Sequence, residues 1–454
     1  MNMNVYLIKY SVSGYKNLAN LVELGYYKKT IDKTFDIHDY NLKAIYGMNG
    51  SGKTAIIESV LLLQNLALNN LYLSSEVTQH NLKESINKFT QSAFIEMELV
   101  ISKNETMLLY KYTIQLGLNA LNQYVIKNEA LSFKNAFNKS SKFKLFYEVN
   151  DGICKFNVGD NKEGSVFDQL ISNTKNLLHR ATFLSLMAEN VVNSRIDDKD
   201  ESNSEYLSML CQVYLSFFKI YVFQQSTDDH FFYMFTKRLE FNSLAKLPDE
   251  DIVSSYIGDV SKQVNQLKTS NNSIKIDDYD SFSEKIEQLT KFIKVFKNEL
   301  ISIEIDKKID GEYYYCDLIM CYKDYKIHSE YESTGIKKLI KLFTYFSEMV
   351  DGGIVFIDEL DANLHDVYLC SLLQYLKEFG KGQLTFTTHN VGPMEILKKS
   401  KKSIDFLSVD NRIYSWVKNG NYSPIALYKE GMIQGSPFNV DYSDFIGIFD
   451  KGDN

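Results

Sequence analysis

The chain is predicted to be an α/β protein whose central sheet is assembled from its two ends around a helical middle. Three observations predict this. Residues 44–60, AIYGMNGSGKTAIIESV, read as a strand, a glycine-rich turn and a helix. After residue 300, continuous apolar strands alternate with helical stretches, the pattern of a buried and largely parallel sheet. From about Phe167 to Phe296, helical periodicity dominates.

In chain order, VYLIKYSV and LKAIYG read as early strands. The helix after the glycine-rich turn carries the apolar run AIIESVLLLQNLAL, interrupted by Glu58 and Gln64, and reads as a buried helix. SAFIEMELVI, MLLYKYTIQL and YVIKNEALSF alternate between polar turns, which predicts a small antiparallel sheet after that helix. Polar stretches, NSRIDDKDESNSE and KTSNNSIKIDDYDS, interrupt the helical middle. In SFSEKIEQLTKFIKVFKNEL, Phe282, Ile286, Leu289, Ile293, Phe296 and Leu300 share one helical stripe. The stripe is too short for a coiled-coil arm and reads as core in preference to interface. Strands resume in ISIEID, YYYCDLIMCY and YKIHSEY, followed by the helix GIKKLIKLFTYFSEM. GGIVFIDE is a fully apolar strand ending in carboxylates; the helix VYLCSLLQYLKEF, the strand QLTFTTHN and two strands in IDFLSVDNRIYSWV follow.

Composition limits the function classes. With 44% hydrophobic residues in 454, the chain can bury a substantial core and fill two or three domains. A formal net charge of -8 argues against a general nucleic-acid clamp, so any DNA or RNA contact needs a local basic face. The one dense basic run, KKSKK at 398–402, reads as a solvated helix end. Five scattered cysteines without a C-x-x-C pair fit neither a disulfide frame nor a zinc site, and suit a reducing, cytosolic setting. The N-terminus turns polar at once, so no signal segment is expected. No run approaches the roughly 20 apolar residues that cross a bilayer, so no membrane association is expected.

Four elements carry chemistry. Gly47, Gly50, Gly52, Lys53 and Thr54 fit G-x-x-x-x-G-K-[ST], a loop whose backbone N–H groups cradle a nucleoside triphosphate. Lys53 would neutralise its β- and γ-phosphates, and the Thr54 hydroxyl would ligate Mg²⁺. GGIVFIDELD places Asp358 at the end of a buried strand, where it can hold that Mg²⁺ through water. Glu359, next in the chain, points elsewhere, toward an attacking water. His389 ends another apolar strand, where an imidazole could hydrogen-bond the γ-phosphate. Finally Ser333, Thr334 and Gly335 open an amphipathic helix, a second anion-binding end that need not serve the phosphate of its own subunit.

Taken in order, these elements resemble the ATP-binding cassette (ABC) ATPases, in the branch of RecF, SMC and OLD-like heads. The resemblance implies an ABC-ATPase head made of residues 1–139 and 301–454, with an antiparallel β subdomain, interrupted by a mainly helical insertion at 140–300. Residues Gly47 to Thr54 match Walker A and Ile354 to Glu359 match Walker B. Ser333, Thr334 and Gly335 match the signature, Asp361 the D-loop and His389 the switch histidine. The implied nucleotide contacts are Gly47, Asn49, Gly50, Ser51, Gly52, Lys53, Thr54 and Ala55, with Lys16 and Asn17 of GYKNL approaching from the N-terminal strand turn. The metal ligands are Thr54 and Asp358, and Glu359, His389 and Lys53 carry the reaction. Gln224 and Gln225 are candidates for the Q-loop. The STG signature departs from the SGG of transporters.

The resemblance narrows to AAA-family ATPases of prokaryotic abortive-infection and phage-defence modules, through TAIIESV, FLSLMAE, ESTGIKKLI, IDELDANLH and the tail LYKEGMIQGSPFNVDYSDFIGIFD. It implies a cytoplasmic, ATP-driven sensor or scaffold that closes as a homodimer or higher homo-oligomer and controls a separate effector. About 65 residues follow His389, too few for the nuclease domain of OLD-like enzymes, and the carboxylates around Asp441 and Asp444 read as an exposed tail. The alternative is a RecF-like DNA-maintenance ATPase, which needs a basic surface in an insertion that is locally acidic at DDKDESNSE and DEDIV.

Overall fold

A computed structural model describes residues 3–28, 30–32, 34–103, 106–138, 141–159, 162–192, 201–224, 267–400, 402–416 and 423–433. Gln225, the DEDIV run, the DDKD that begins the preceding acidic stretch, and Asp441 and Asp444 lie outside the described residues.

The protein is mixed α/β, with three sheets among the described residues. The central sheet runs Ile413–Ser415, Ile404–Leu407, Leu42–Gly47, Gln383–Thr387, Ile354–Ile357, Ile220–Phe223. Every pairing is parallel except that of the first two strands. Thus strands from both ends of the sequence do meet in one sheet. Its four inner strands are buried at every position because both faces are covered, and the charges they carry are paired, Lys43 with Asp405 at 2.6 Å. Ile45, Ile354 and Phe356 pack into one core, whereas Ala44, Tyr46, Val355 and Ile357 pack into the other.

The first of those cores lies under a seven-stranded antiparallel sheet, ordered Val22–Gly25, Asn4–Ser13, Ser92–Lys103, Thr106–Leu118, Tyr124–Asn135, Lys144–Asn150, Ile153–Phe156. Helix Lys53–Leu68 is part of this core, with Ile56, Ile57, Val60, Leu63 and Leu66 fully buried, which is why the run is apolar almost all round. The sheet is larger than the sequence suggested. It recruits the N-terminal strand, and it continues beyond residue 139 through a hairpin whose turn, Asp151-Gly152, has positive φ at both residues. That is the type I′ geometry a D-G pair favours.

The range 140–300 is therefore not purely helical. Helices Val166–Thr174, Phe183–Val192 and Glu201–Ser216 pack on the antiparallel sheet. The buried Glu129 carboxylate ties the second to it, accepting from Tyr112 Oη (2.9 Å), Tyr147 Oη (2.7 Å) and the Phe183 N–H (2.6 Å) at the helix N-terminus. Ile220–Phe223 is an edge strand of the central sheet. Four apolar residues show no period by which to tell strand from helix.

The third sheet has Tyr313–Cys321 at its centre, Ser302–Asp310 along one edge, and Asn272–Lys275 and Lys326–His328 along the other. Helices Tyr279–Phe296 and Thr334–Val350 cover it. Phe282, Ile286, Leu289, Ile293 and Leu300 are buried there, so their stripe is core. Among the described residues no helix is long and apolar enough to cross a membrane.

Candidate functional site

Strand register assembles the site. Ile45 pairs with Thr387, and Phe386 with Ile357, across three adjacent parallel strands. The chain leaves all three at one edge, so residues 47–54, 358–361 and 387–389 emerge together. Ligands of open α/β sheets bind in this crevice, outside the carboxyl ends of the strands.

The glycine-rich turn is held tightly. Gly52 caps the following helix at φ +110°, and a Cβ there would sit 2.5 Å from Leu18 Cδ2. Only glycine allows the N-terminal turn to approach so closely. From that turn, Asn17 Nδ2 donates to the Gly50 carbonyl, which brings Asn17 to the loop. Lys16, at φ +48°, pairs instead with Glu58 on the helix and so braces it. Lys53 is 7% exposed and donates to the Gly47 (2.8 Å) and Met48 (3.1 Å) carbonyls. Burial lowers its pKa, while Asp358, Glu359 and Asp361 act in the opposite direction. Asn49, Gly50 and Thr54 are exposed, Ala55 is buried below them, and the fully buried Ser51 hydroxyl has no hydrogen-bond partner.

Asp358 and Glu359 are set by a neighbouring strand. The Thr387 hydroxyl donates to Asp358 Oδ1 at 2.5 Å and accepts from the Glu359 N–H at 2.8 Å. The Asp358 N–H bonds the Phe223 carbonyl at 3.1 Å on the other side. Glu359 has φ +48°, a rare conformation for a non-glycine residue, which turns the chain sharply as it leaves the strand. Its side chain is exposed while Asp358 is half-buried. Thr387 was missed by sequence reasoning; the one available signal was a hydroxyl residue ending an apolar strand two positions before His389. His389 is solvent-exposed, with its pKa lowered by partial burial of the ring and by Lys53, and raised by Asp361, Glu359 and Asp358. Lys53, His389 and the three carboxylates thus share one electrostatic neighbourhood.

Gln224 follows the edge strand at the same end of the sheet and is buried. Ser333 caps helix Thr334–Val350, its hydroxyl accepting from the Ile336 N–H at 3.3 Å. Ser333 and Thr334 are exposed. Gly335 lies against the turn after Asp361: a Cβ would be 2.6 Å from the Asn363 carbonyl oxygen. Among the described residues no hydrogen bond or ion pair joins residues 333–335 to residues 47–54. Lys398, which begins the basic run, pairs with Glu395 on helix Gly392–Leu397.

The donor set fits a Mg²⁺–nucleoside triphosphate. A glycine-rich turn exposed at Asn49 and Gly50, a buried cation, an orphaned Ser51 hydroxyl and the exposed helix-start residue Thr54 suit phosphate chemistry. Mg²⁺ takes one or two carboxylates and fills the rest of its shell from phosphate and water, so Asp358 with Thr54 suffices. No family model matches the sequence, and no curated protein matches it.

Proposed function

We propose that the protein is an ABC-type ATPase head of the RecF, SMC and OLD-like kind, which binds Mg²⁺–ATP and hydrolyses it as a sandwiched homodimer. One observation carries this reading: parallel strand register brings Lys53 from the N-terminal third and Asp358, Glu359, Asp361 and His389 from the C-terminal third to one edge of a shared sheet. A lone glycine-rich loop is weak evidence; the same loop beside two staggered carboxylates and a histidine is a phosphoryl-transfer arrangement.

In this mechanism the loop N–H groups and Lys53 hold the triphosphate and oppose charge building on the β- and γ-oxygens. Mg²⁺, when bound through Thr54 and Asp358, supplies further neutralisation of that charge. Glu359 orients a water at the γ-phosphorus and accepts its proton as the bond to the β-bridging oxygen breaks. His389 donates to a γ-oxygen and registers its departure. Ser333 and Thr334 are exposed, and among the described residues neither they nor the half-buried Gly335 bond their own glycine-rich loop, as suits donors to the triphosphate of a second copy.

ATP closure and hydrolysis would drive a sensor or scaffold of an antiphage, abortive-infection module in the cytoplasm, with damage done by a separate effector. The test is phosphate release by the purified protein in Mg²⁺–ATP, with a specific rate that rises with protein concentration as dimers form. Ser333→Arg is expected to lower that rate by on the order of 100-fold while leaving ATP binding by the monomer intact. Absence of ATP binding, or a parental rate in Ser333→Arg, would overturn the reading. For the defence role, cells carrying the protein with its effector should lose phage protection on Lys53→Ala.

A further inference from the structure

Resting on that reading, we infer that Lys338 is a positioning residue that couples the signature helix to the catalytic carboxylate of its own subunit. Lys338 lies on helix Thr334–Val350, one turn beyond Ser333, and is 4% exposed. Its ammonium donates to three main-chain carbonyls: Glu359 at 2.5 Å, Ala362 at 3.0 Å and Leu360 at 3.3 Å. An ammonium has three donors, and here all are directed to the turn that follows Asp358. Burial lowers its pKa to about 8.

That turn is an unusual one. Glu359 (φ +48°) and Asn363 (φ +62°) are both left-handed, and the Ala362 N–H closes back on the Glu359 carbonyl at 3.1 Å. Three carbonyl dipoles converge on one point, an arrangement that repels itself unless a cation sits at the focus. Lys338 is that cation, and the conformation that presents the Glu359 side chain depends on it. The same helix is clamped at its start. Glu332 is buried and held by Lys297 at 3.0 Å and by the Tyr322 hydroxyl, while Gly335 abuts the Asn363 carbonyl. A displacement of Ser333–Gly335 by a partner's nucleotide therefore moves Lys338, and with it the Glu359 turn. Occupancy of one nucleotide site thereby tunes the carboxylate of the other without being required for it.

Lys338→Met keeps the length and packing of the side chain and removes its donors. The expected result is a kcat lower by on the order of 100-fold, as for a small misplacement of a reacting group, with the ATP dissociation constant close to parental and a lower melting temperature, because three buried carbonyls lose their donor. A purely structural role would instead weaken ATP binding in step with kcat. Mixed dimers, purified through two different tags, separate the possibilities. In Glu359→Gln paired with Ser333→Arg, one site keeps both its own carboxylate and a partner signature, so it should hydrolyse ATP. Lys338→Met paired with Ser333→Arg should match that reference, because Lys338 serves its own subunit's Glu359 turn. If the reference dimer is inactive, the ATP-sandwich reading fails. If the reference is active but the Lys338→Met dimer is dead, or if the Lys338→Met homodimer retains parental kcat, the role given to Lys338 is wrong. Lys338→Gln, which keeps an N–H donor, carries the same tests if the methionine variant does not fold.

Discussion

Glu359→Gln is expected to lower ATP hydrolysis by on the order of 1,000-fold while ATP still binds and the closed dimer accumulates. A general base contributes about 10²–10⁴ to such reactions, and an amide cannot accept the proton of the attacking water. The substitution is close to isosteric. The contacts that set the turn are made by the main chain: the Glu359 N–H to Thr387 at 2.8 Å and its carbonyl to Lys338 at 2.5 Å. Loss of activity therefore reports the carboxylate and not a collapsed loop. Single-turnover hydrolysis measures the chemical step, and light scattering on a sizing column measures the dimer. Hydrolysis at the parental rate would remove Glu359 from its assigned role.

Lys53→Ala is expected to weaken ATP binding by on the order of 100-fold or more. Hydrogen bonds to a charged group are each worth about 1.5–3 kcal/mol, and in the proposed site Lys53 is the cation that makes them to the phosphates. The loss is amplified by what remains, since Asp358, Glu359 and Asp361 lie within electrostatic reach of the Lys53 position and would repel the triphosphate without it. The fold should survive, because among the described residues the Lys53 ammonium bonds only the Gly47 and Met48 carbonyls of its own loop. Titration with a fluorescent ATP analogue, beside a melting curve, checks both statements. Parental affinity in a folded variant would contradict the assignment.

The parts of the site that sequence reasoning found are those governed by local rules. Gly47–Thr54 is a strand, a turn and a helix start in one continuous segment. Asp358 is conspicuous because IVFI stops at it. Asn17 was singled out by its position in GYKNL, and its side chain donates to the Gly50 carbonyl. The parts that escaped depend on pairing across distance. Thr387 acquires its role only because its strand lies beside Ile354–Ile357, and register cannot be read from either strand alone. Lys338 sits in GIKKLIKL beside Lys337, where a lysine reads as solvated; only the packed structure buries it against the Glu359 turn. Ile220–Phe223 was hidden by its length. The Asp151-Gly152 hairpin, by contrast, carried a recognisable turn signal, and reading it would have extended the antiparallel sheet beyond residue 139.

The central claim is that residues separated by three hundred positions hold one metal-bound triphosphate. Electron paramagnetic resonance of Mn²⁺, substituted for Mg²⁺ in the presence of a non-hydrolysable ATP analogue, tests it most directly. The parental protein should bind Mn²⁺ tightly only when the nucleotide is present, and both Thr54→Ala and Asp358→Asn should weaken that binding. Nucleotide-independent Mn²⁺ binding, or a signal untouched by either substitution, would contradict it.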